Sequence, residues 1–272
     1  MKIALIQQIA GNNRLENQKK GILALDRAAS AGAQVACFAE LGFERFYPQY
    51  PATAKSLQMA RPLDEAFLGS FRQKAIQYGM VIILNMFEKK GNDNYDSSPM
   101  IDADGSLLGV TRMTHITEYA GFHEQGYYTP AESGPPVFQT KYGRIGVAIC
   151  YDRHYPEYMR ALARQSADVV FIPQAGTVGE WPDGLYEAEM RVAAFQNGYY
   201  TALCNRVGPE EALTFSGGSF VCNPGGEVIA RGNTEGDDIV LVDLDLQAVE
   251  QSHARRLFFR DSRPNLYADW LK

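Results

Sequence analysis

The sequence predicts an α/β protein built on mixed β-sheets covered by helices. Apolar runs of strand length alternate with segments of helical period along most of the chain. Turn signals at Asp104-Gly105 and at Pro224–Gly226 join apolar runs into antiparallel hairpins. The run MVIILNMFE is almost continuously apolar, as in a strand buried on both faces. Hairpins beside interleaved helices fit mixed sheets rather than one parallel, doubly wound sheet.

Residues 2–8 read as the first strand and 15–31 as a helix closed by Gly32. QVACFAE is a strand ending at Glu40, 63–78 a helix, and MVIILNMFE one further strand. In MIDADGSLLGVTRMTHI, Asp104-Gly105 predicts a type I′ turn, which needs φ > 0 at both central positions. GRIGVAIC, ADVVFIPQA and YYTALCNRV are strands, with helices between them at 156–165 and 185–197. SFVCNPGGEVIARG is the second hairpin, DDIVLVDLDL a late strand, and 245–255 the last helix. No linker, repeat or low-complexity block interrupts the chain, so a single domain over 1–272 is expected.

With 46% hydrophobic residues among 272, the chain can bury a sizeable core. A net charge of −6 leaves no basic excess to neutralise phosphates, so no nucleic-acid partner is expected. No apolar run is long enough to span a bilayer, so no membrane partner is expected either. MKIALIQQIAG is too short in its apolar part for a secretory signal and reads as a strand. The cysteines, 37, 150, 204 and 222, form no CxxC, and histidine is rare, so no metal site is expected. Scattered cysteines in apolar runs fit a reducing, cytoplasmic setting.

The stretch GRIGVAICYDRHYPE sets the functional question. Ile145, Val147 and Ile149 share one face of a strand; Gly146, Ala148 and Cys150 share the other, which small residues open to close approach. Pro156 suits the first position of a helix and Glu157 its positive end. Cys150 thus falls on a tight strand-to-helix connection, where a helix N-terminus and nearby cations lower a thiol pKa. The amides after it are candidate oxyanion donors. On this stretch alone, an inert core cysteine is the simpler reading. Glu40 ends another apolar strand, and beside a buried thiol it is a candidate general base; its alternative is a solvated strand-end charge. Glu124, in the loop YAGFHEQGYYTP, is either a third site residue or a surface charge.

Together these segments resemble the nitrilase, or carbon–nitrogen hydrolase, superfamily over almost the whole chain. FAEL resembles the family's FPEL, with Ala39 in place of proline. DADGSLLGVTRMTHI resembles the hairpin ending in Arg-Lys-x-His, and GRIGVAICYDRHYPE the nucleophile segment. NRVG and GGSFVCNPGGEVIARG resemble later family blocks. The resemblance implies a four-layer αββα sandwich with two mixed β-sheets, commonly assembled as homodimers or higher homo-oligomers. It also implies hydrolysis through a Glu-Lys-Cys triad with no metal and no cofactor. By position, Cys150 is the nucleophile, Glu40 the general base, and Glu124 a second glutamate that positions substrate or lysine.

One position departs from the pattern. The lysine of Arg-Lys-x-His is Met113 here, in Arg112-Met113-Thr114-His115. Methionine neither donates a hydrogen bond nor carries charge. Arg112 is adjacent in a strand and points to the opposite face. Losing one oxyanion donor costs about 3–4 kcal/mol. Three readings stand: another donor, such as His115 or His123, takes over; the chain is an inactivated variant that traps substrate; or it is a natural pseudoenzyme. Intact Glu40 and Cys150 put the last reading behind the others.

CYDRHYPE is similar to the CNDRRWPE segment of N-carbamoyl-amino-acid amidohydrolases, which implies that Arg153 holds a substrate carboxylate. Its alternative is a structural ion pair with Glu157 or Asp152. His154 in place of the second arginine, and Ala175 where those enzymes carry a polar residue, depart from that pattern. Tyr47 and Trp181 are candidate pocket walls, and His115 and the Tyr151 amide candidate substrate contacts. The expected partner is a small molecule: an amide or N-carbamoyl compound, or in the enzymatic alternative a nitrile. A scaffold that binds without turnover is the non-enzymatic alternative.

Overall fold

In the computed structural model, which describes residues 1–270, helices and strands fall into four layers. The last two positions of the domain expected over 1–272 lie outside the described residues. Strands β1 (Lys2–Gln7), β2 (Val35–Phe38), β3 (Val81–Ile83), β4 (Met86–Lys90), β5 (Asp93–Ile101) and β6 (Leu107–Arg112) belong to the first sheet. Strands β7 (Val137–Thr140), β8 (Gly143–Val147), β9 (Val169–Gln174), β10 (Tyr200–Asn205), β11 (Phe220–Cys222) and β12 (Val228–Arg231) form the second. The late strand β13 (Asp238–Asp243) returns to the first sheet, antiparallel to β1. The orders are β13-β1-β2-β3-β5-β4, with β6 on β5, and β12-β11-β10-β9-β8-β7. Parallel neighbours at the centre and hairpins at the edges make both sheets mixed, as the turn signals require.

The period of two explains the layers. Leu5, Cys37 and Val81 of the first sheet meet Val147, Phe171 and Ala202 of the second in a core between the sheets. Their neighbours Ile6, Ala36 and Ile82 face outwards against helices α1 (Arg14–Ser30) and α2 (Glu65–Tyr78). Val170 and Ile172 face α3 (Pro156–Arg164) and α4 (Leu185–Asn197) on the other side. Central strands therefore bury both faces, which is why they read as unbroken apolar runs.

Three local expectations change. MVIILNMFE is two strands, not one: the chain leaves β3 after Ile83 and enters β4 at Met86, around buried Asn85. The β5–β6 turn is not type I′, because only Gly105 has positive φ, +83°; the Asp104 carboxylate accepts from the Ser106 amide instead. The final helix is shorter than 245–255, at Gln247–Gln251, and the chain continues through Ala254–Phe258 to a further helix, Pro264–Trp270.

Candidate active site

β8 ends at Val147, and the chain then makes one tight turn over Cys150–His154 before α3 starts at Pro156. Cys150 has φ +40°, a left-handed conformation costly for any residue with a Cβ. The strain redirects the thiol. Ile145, Val147 and Ile149 face the inter-sheet core as expected, and Cys150 joins them rather than staying with Gly146 and Ala148. The small-residue face does admit a close neighbour: a Cβ on Gly146 would lie 2.7 Å from Leu162 of α3.

Glu40 stands two residues beyond β2, and Leu41 after it has φ +44°. Both candidate groups are thus carried on strained strand ends, with supports from elsewhere. The Leu41 amide donates to Asn85 Oδ1 at 2.7 Å. Fully buried Arg206 donates to the carbonyls of Glu40, Leu41 and Glu44 at 2.9, 2.5 and 3.0 Å, pairs with Glu210, and lies 4.8 Å over the Phe215 ring. Glu124 begins a short turn, Glu124–Gly126, whose carbonyl at Glu124 takes the amides of Tyr127 and Tyr128.

The structure brings Cys150, Glu40 and Glu124 together with Asp96, a residue no motif had singled out. Burial, then the charges of Asp96 and Glu124, push the Glu40 carboxyl well above the usual range, and contact with the Cys150 thiol pulls it back. Although thiol and carboxylate touch, neither Glu40 oxygen accepts a well-formed hydrogen bond. Burial, then Asp96, also push Glu124 up; one of its oxygens takes the Thr117 amide at 3.5 Å and the other is unpaired. The expectation of a lowered Cys150 pKa is overturned. Burial and the Glu40 charge push the thiol up, against the weaker pull of Arg153 and the Ala175 amide. A full turn of chain separates the thiol from the N-terminus of α3, so the helix does not activate it. Such a thiol reacts by giving its proton to a base during attack, not as a standing thiolate.

Met113 is fully buried in the same core cluster as Cys150. Arg112 points away, as its strand position predicts, and forks onto Glu88 with two 2.7 Å contacts. Both histidines are held by carboxylates through Nδ1. His115 is held by Asp152, Nδ1 to Oδ1 at 2.7 Å, and stacks on Tyr155 at 3.5 Å. Through Asp152 it is tied to the turn after Cys150. His123 is bound to Glu118 at 2.7 Å.

Arg153 pairs with neither Glu157 nor Asp152. One Nη donates to the Cys150 carbonyl at 2.8 Å and to Gln174 at 2.7 Å, Nε lies 3.4 Å from Glu189, and the guanidinium sits 4.9 Å over Tyr186. Nη2 is buried and has no hydrogen-bond partner. His154 also goes to Glu189, at 2.5 Å. The Tyr47 hydroxyl donates to Glu44 and accepts from Arg14, and the residue lines a cavity with Tyr50, Met59 and Tyr127. The Tyr151 ring packs edge-on to His154 and Tyr155, which leaves its amide as the group available to a ligand. Trp181 lines a cavity of about 600 Å³ with Tyr186 and Phe215, and Cys150, Glu40 and Glu124 are not part of its lining. Beside it Glu180 accepts from the hydroxyls of Tyr119 (2.5 Å) and Tyr186 and from the Thr177 amide (3.0 Å). Glu180 is close enough to push Glu124 up further. Asp96, Asn85, Arg206 and Glu180 all escaped the sequence reading, because each acts through a partner far away in the chain.

A buried thiol on a strained turn, against two carboxyls, is an arrangement suited to nucleophilic catalysis by cysteine. Residues 2–254 match the Carbon-nitrogen hydrolase family, and the chain belongs to it. It is similar to a citrullinase of Francisella tularensis, 32% identical over 98% of this chain and 96% of that one. It is also similar to an N-carbamoylputrescine amidase of Solanum tuberosum, 35% identical over 89% and 86%. Among solved structures, a carbon–nitrogen hydrolase from Helicobacter pylori G27 superposes with a TM-score of 0.92 at 27% identity, covering 100% and 98% of the two chains. An amidase variant from Nesterenkonia sp. AN1, with the acetamide moiety of fluoroacetamide covalently added at its active-site cysteine, gives 0.81 at 25% identity, covering 99% and 96%. The four-layer αββα sandwich is therefore that of the nitrilase superfamily, and the protein is a hydrolase of carbon–nitrogen bonds other than peptide bonds.

Proposed function

We propose that the protein hydrolyses a small ureido (N-carbamoyl) compound through a thioester on Cys150, with release of ammonia. The observation that carries this reading is the placement of the thiol, held by its strained turn against Glu40 and Glu124, whose oxygens are largely without donors. Glu40 takes the thiol proton as sulfur attacks the carbonyl carbon. The Tyr151 amide is the donor nearest in sequence to receive the oxyanion. Glu40 returns the proton to the leaving nitrogen, ammonia departs, and water activated by Glu40 opens the S-carbamoyl thioester; the carbamic acid released breaks down to an amine and carbon dioxide.

The names of the two relatives, a citrullinase and an N-carbamoylputrescine amidase, support the ureido class. Glu180 supports a substrate with an amine at its far end: among the described residues it is bound by tyrosines and an amide, and no ion pair to a cation is recorded for it. A substrate carboxylate is the second reading, favoured by the unpaired Nη2 of Arg153. Incubation with N-carbamoylputrescine, citrulline, N-carbamoyl amino acids, simple amides and nitriles tests the proposal, read by ammonia release and intact protein mass. Ammonia from a ureido compound is expected, with an adduct on Cys150 that is absent in Cys150→Ala. Turnover of a nitrile but not its amide would replace this reading with a nitrilase, and binding without turnover of any compound with a scaffold.

Four free cysteines support a reducing, cytoplasmic setting. Val192, Phe195 and Phe258, apolar and exposed on one side of α4 and the chain beyond it, support self-association into a homodimer or larger oligomer. Light scattering on the purified protein tests this, and a monomer at micromolar concentration would refute it.

A further inference from the structure

Register, not a motif, sets a second carboxyl beside the base. In the β5–β6 pair Ser97 stands opposite Arg112, and the next step closes with the Met113 amide donating to the Asp96 carbonyl at 3.0 Å. Opposed residues share a face, so the Asp96 carboxyl lies on the Met113 side of the sheet, with Glu40. Both Asp96 and Glu40 are fully buried, and their carboxyls are close enough for their charges to act on each other. Only one of the four oxygens, Asp96 Oδ1, receives a donor, from Asn85 Nδ2 at 2.6 Å; Asp96 Oδ2 and both Glu40 oxygens have none. Among the described residues neither carboxyl has an ion pair with lysine or arginine recorded. Two bare carboxylates so close are not stable in such a place, and a proton between them supplies the missing donor. Asn85 ties the pair together, because its other end accepts from the Leu41 amide next to Glu40.

We propose that Asp96 is a positioning residue for Glu40, the two carboxyls holding one proton between them and working as a single base. It rests on Glu40 and Cys150 being base and nucleophile. The resting pair carries one proton. As the S–C bond forms, the thiol proton moves to the pair, which then carries two. One of these passes to the leaving nitrogen as the C–N bond breaks. In the second half the pair takes a proton from water as its oxygen bonds to the thioester carbon, and returns it to sulfur as the C–S bond breaks. The titratable groups facing the pair are Cys150, Glu124 and Tyr128 in the pocket, Glu44 on the loop after Glu40, and Asp152 in the turn after Cys150. These are acids; the buried cations on neighbouring elements, Arg206 and Arg153, are engaged elsewhere, Arg206 on the Glu40, Leu41 and Glu44 carbonyls and Glu210, and Arg153 on the Cys150 carbonyl, Gln174 and Glu189. Asp96 itself is pushed up to about 7, first by burial, with Asn85 and Glu40 opposing.

The test is the pH dependence of iodoacetamide alkylation at Cys150, followed by peptide mass, which needs no substrate. Wild type should show two ionisations, one for taking up a second proton and one for losing the shared proton. Asp96→Asn, whose amide oxygen still suits Asn85, should show one, and Asp96→Glu should restore two. A single ionisation in wild type, or two retained in Asp96→Asn, overturns the proposal, and the wild-type profile decides even if a variant fails to fold. Glu40→Gln separates the two layers. An unchanged rate there would sink the base reading itself, whereas a slowed Glu40→Gln beside an unaltered Asp96→Asn profile would sink only the shared proton.

Discussion

Arg206 and the Glu40–Asp96–Glu124 cluster are both buried charge that meets at the loop after Glu40, and they are treated in opposite ways. Arg206 gives its protons to three carbonyls and Glu210 and lies over an aromatic ring. The carboxyl cluster leaves oxygens on all three residues without donors and gathers like charge. A satisfied buried charge holds a backbone in place, and an unsatisfied one is kept at a cost in stability because it has a proton to move. The loop after Glu40 needs both: Arg206 fixes Glu40 at a strained strand end so that its carboxyl can remain reactive.

The largest break in that comparison is removal of the nucleophile. Cys150→Ala should lower turnover by about 10⁶-fold while leaving the melting temperature nearly unchanged. Ammonia release and a thermal melt check it, and substantial residual activity would move the nucleophile elsewhere. Glu40→Gln should lower kcat by roughly 10²–10⁴-fold. Its new amide can donate to Asp96, so the protein should be no less stable than wild type. Arg206→Ala should do the reverse, costing about 3–5 kcal/mol of stability because Glu210 and three carbonyls lose their partner. Its activity at low temperature should fall less than that of Glu40→Gln, and denaturant titration beside kinetics would show whether the two effects separate.

A smaller effect sharpens the same contrast through pH. The folded Asp96 carboxyl keeps its proton up to about 7, whereas the unfolded chain releases it near 3.8. Between those values the folded state binds the extra proton, so this group's contribution is intact below 3.8 and is lost as pH rises through about 7. Asp96→Asn should therefore gain on wild type in melting temperature as pH goes from 4 towards 8. A constant difference across that range would mean that Asp96 titrates normally.

Much of this was legible beforehand. Glu40 and Cys150 are visible because each ends an apolar run with a polar group, and the layer order follows from runs buried on both faces. The lowered thiol pKa was misjudged because the sequence shows Pro156 and Glu157 but not the intervening turn. The partners of His115 and Tyr47, namely Asp152, Arg14 and Glu44, are fixed by loop geometry that no spacing reveals. Asp96 is within reach of the sequence, since a two-residue turn at Asp104-Gly105 already sets it against Met113, but its carboxyl partner Glu40 ends a different strand, which no spacing reveals. Asn85 hid inside an apolar run that read as one strand.

The central claim is that the bare carboxyls are the working state of this site and not a vacancy left by a lost cation. Met113→Lys tests it most directly, because it puts an ammonium next to Asp96 and among Glu40 and Glu124. Steady-state kinetics on the turned-over substrate should show kcat unchanged or lower, as the new cation takes the carboxyls for itself. A rise of about 10²–10³-fold, the size of one restored oxyanion donor, would contradict the account.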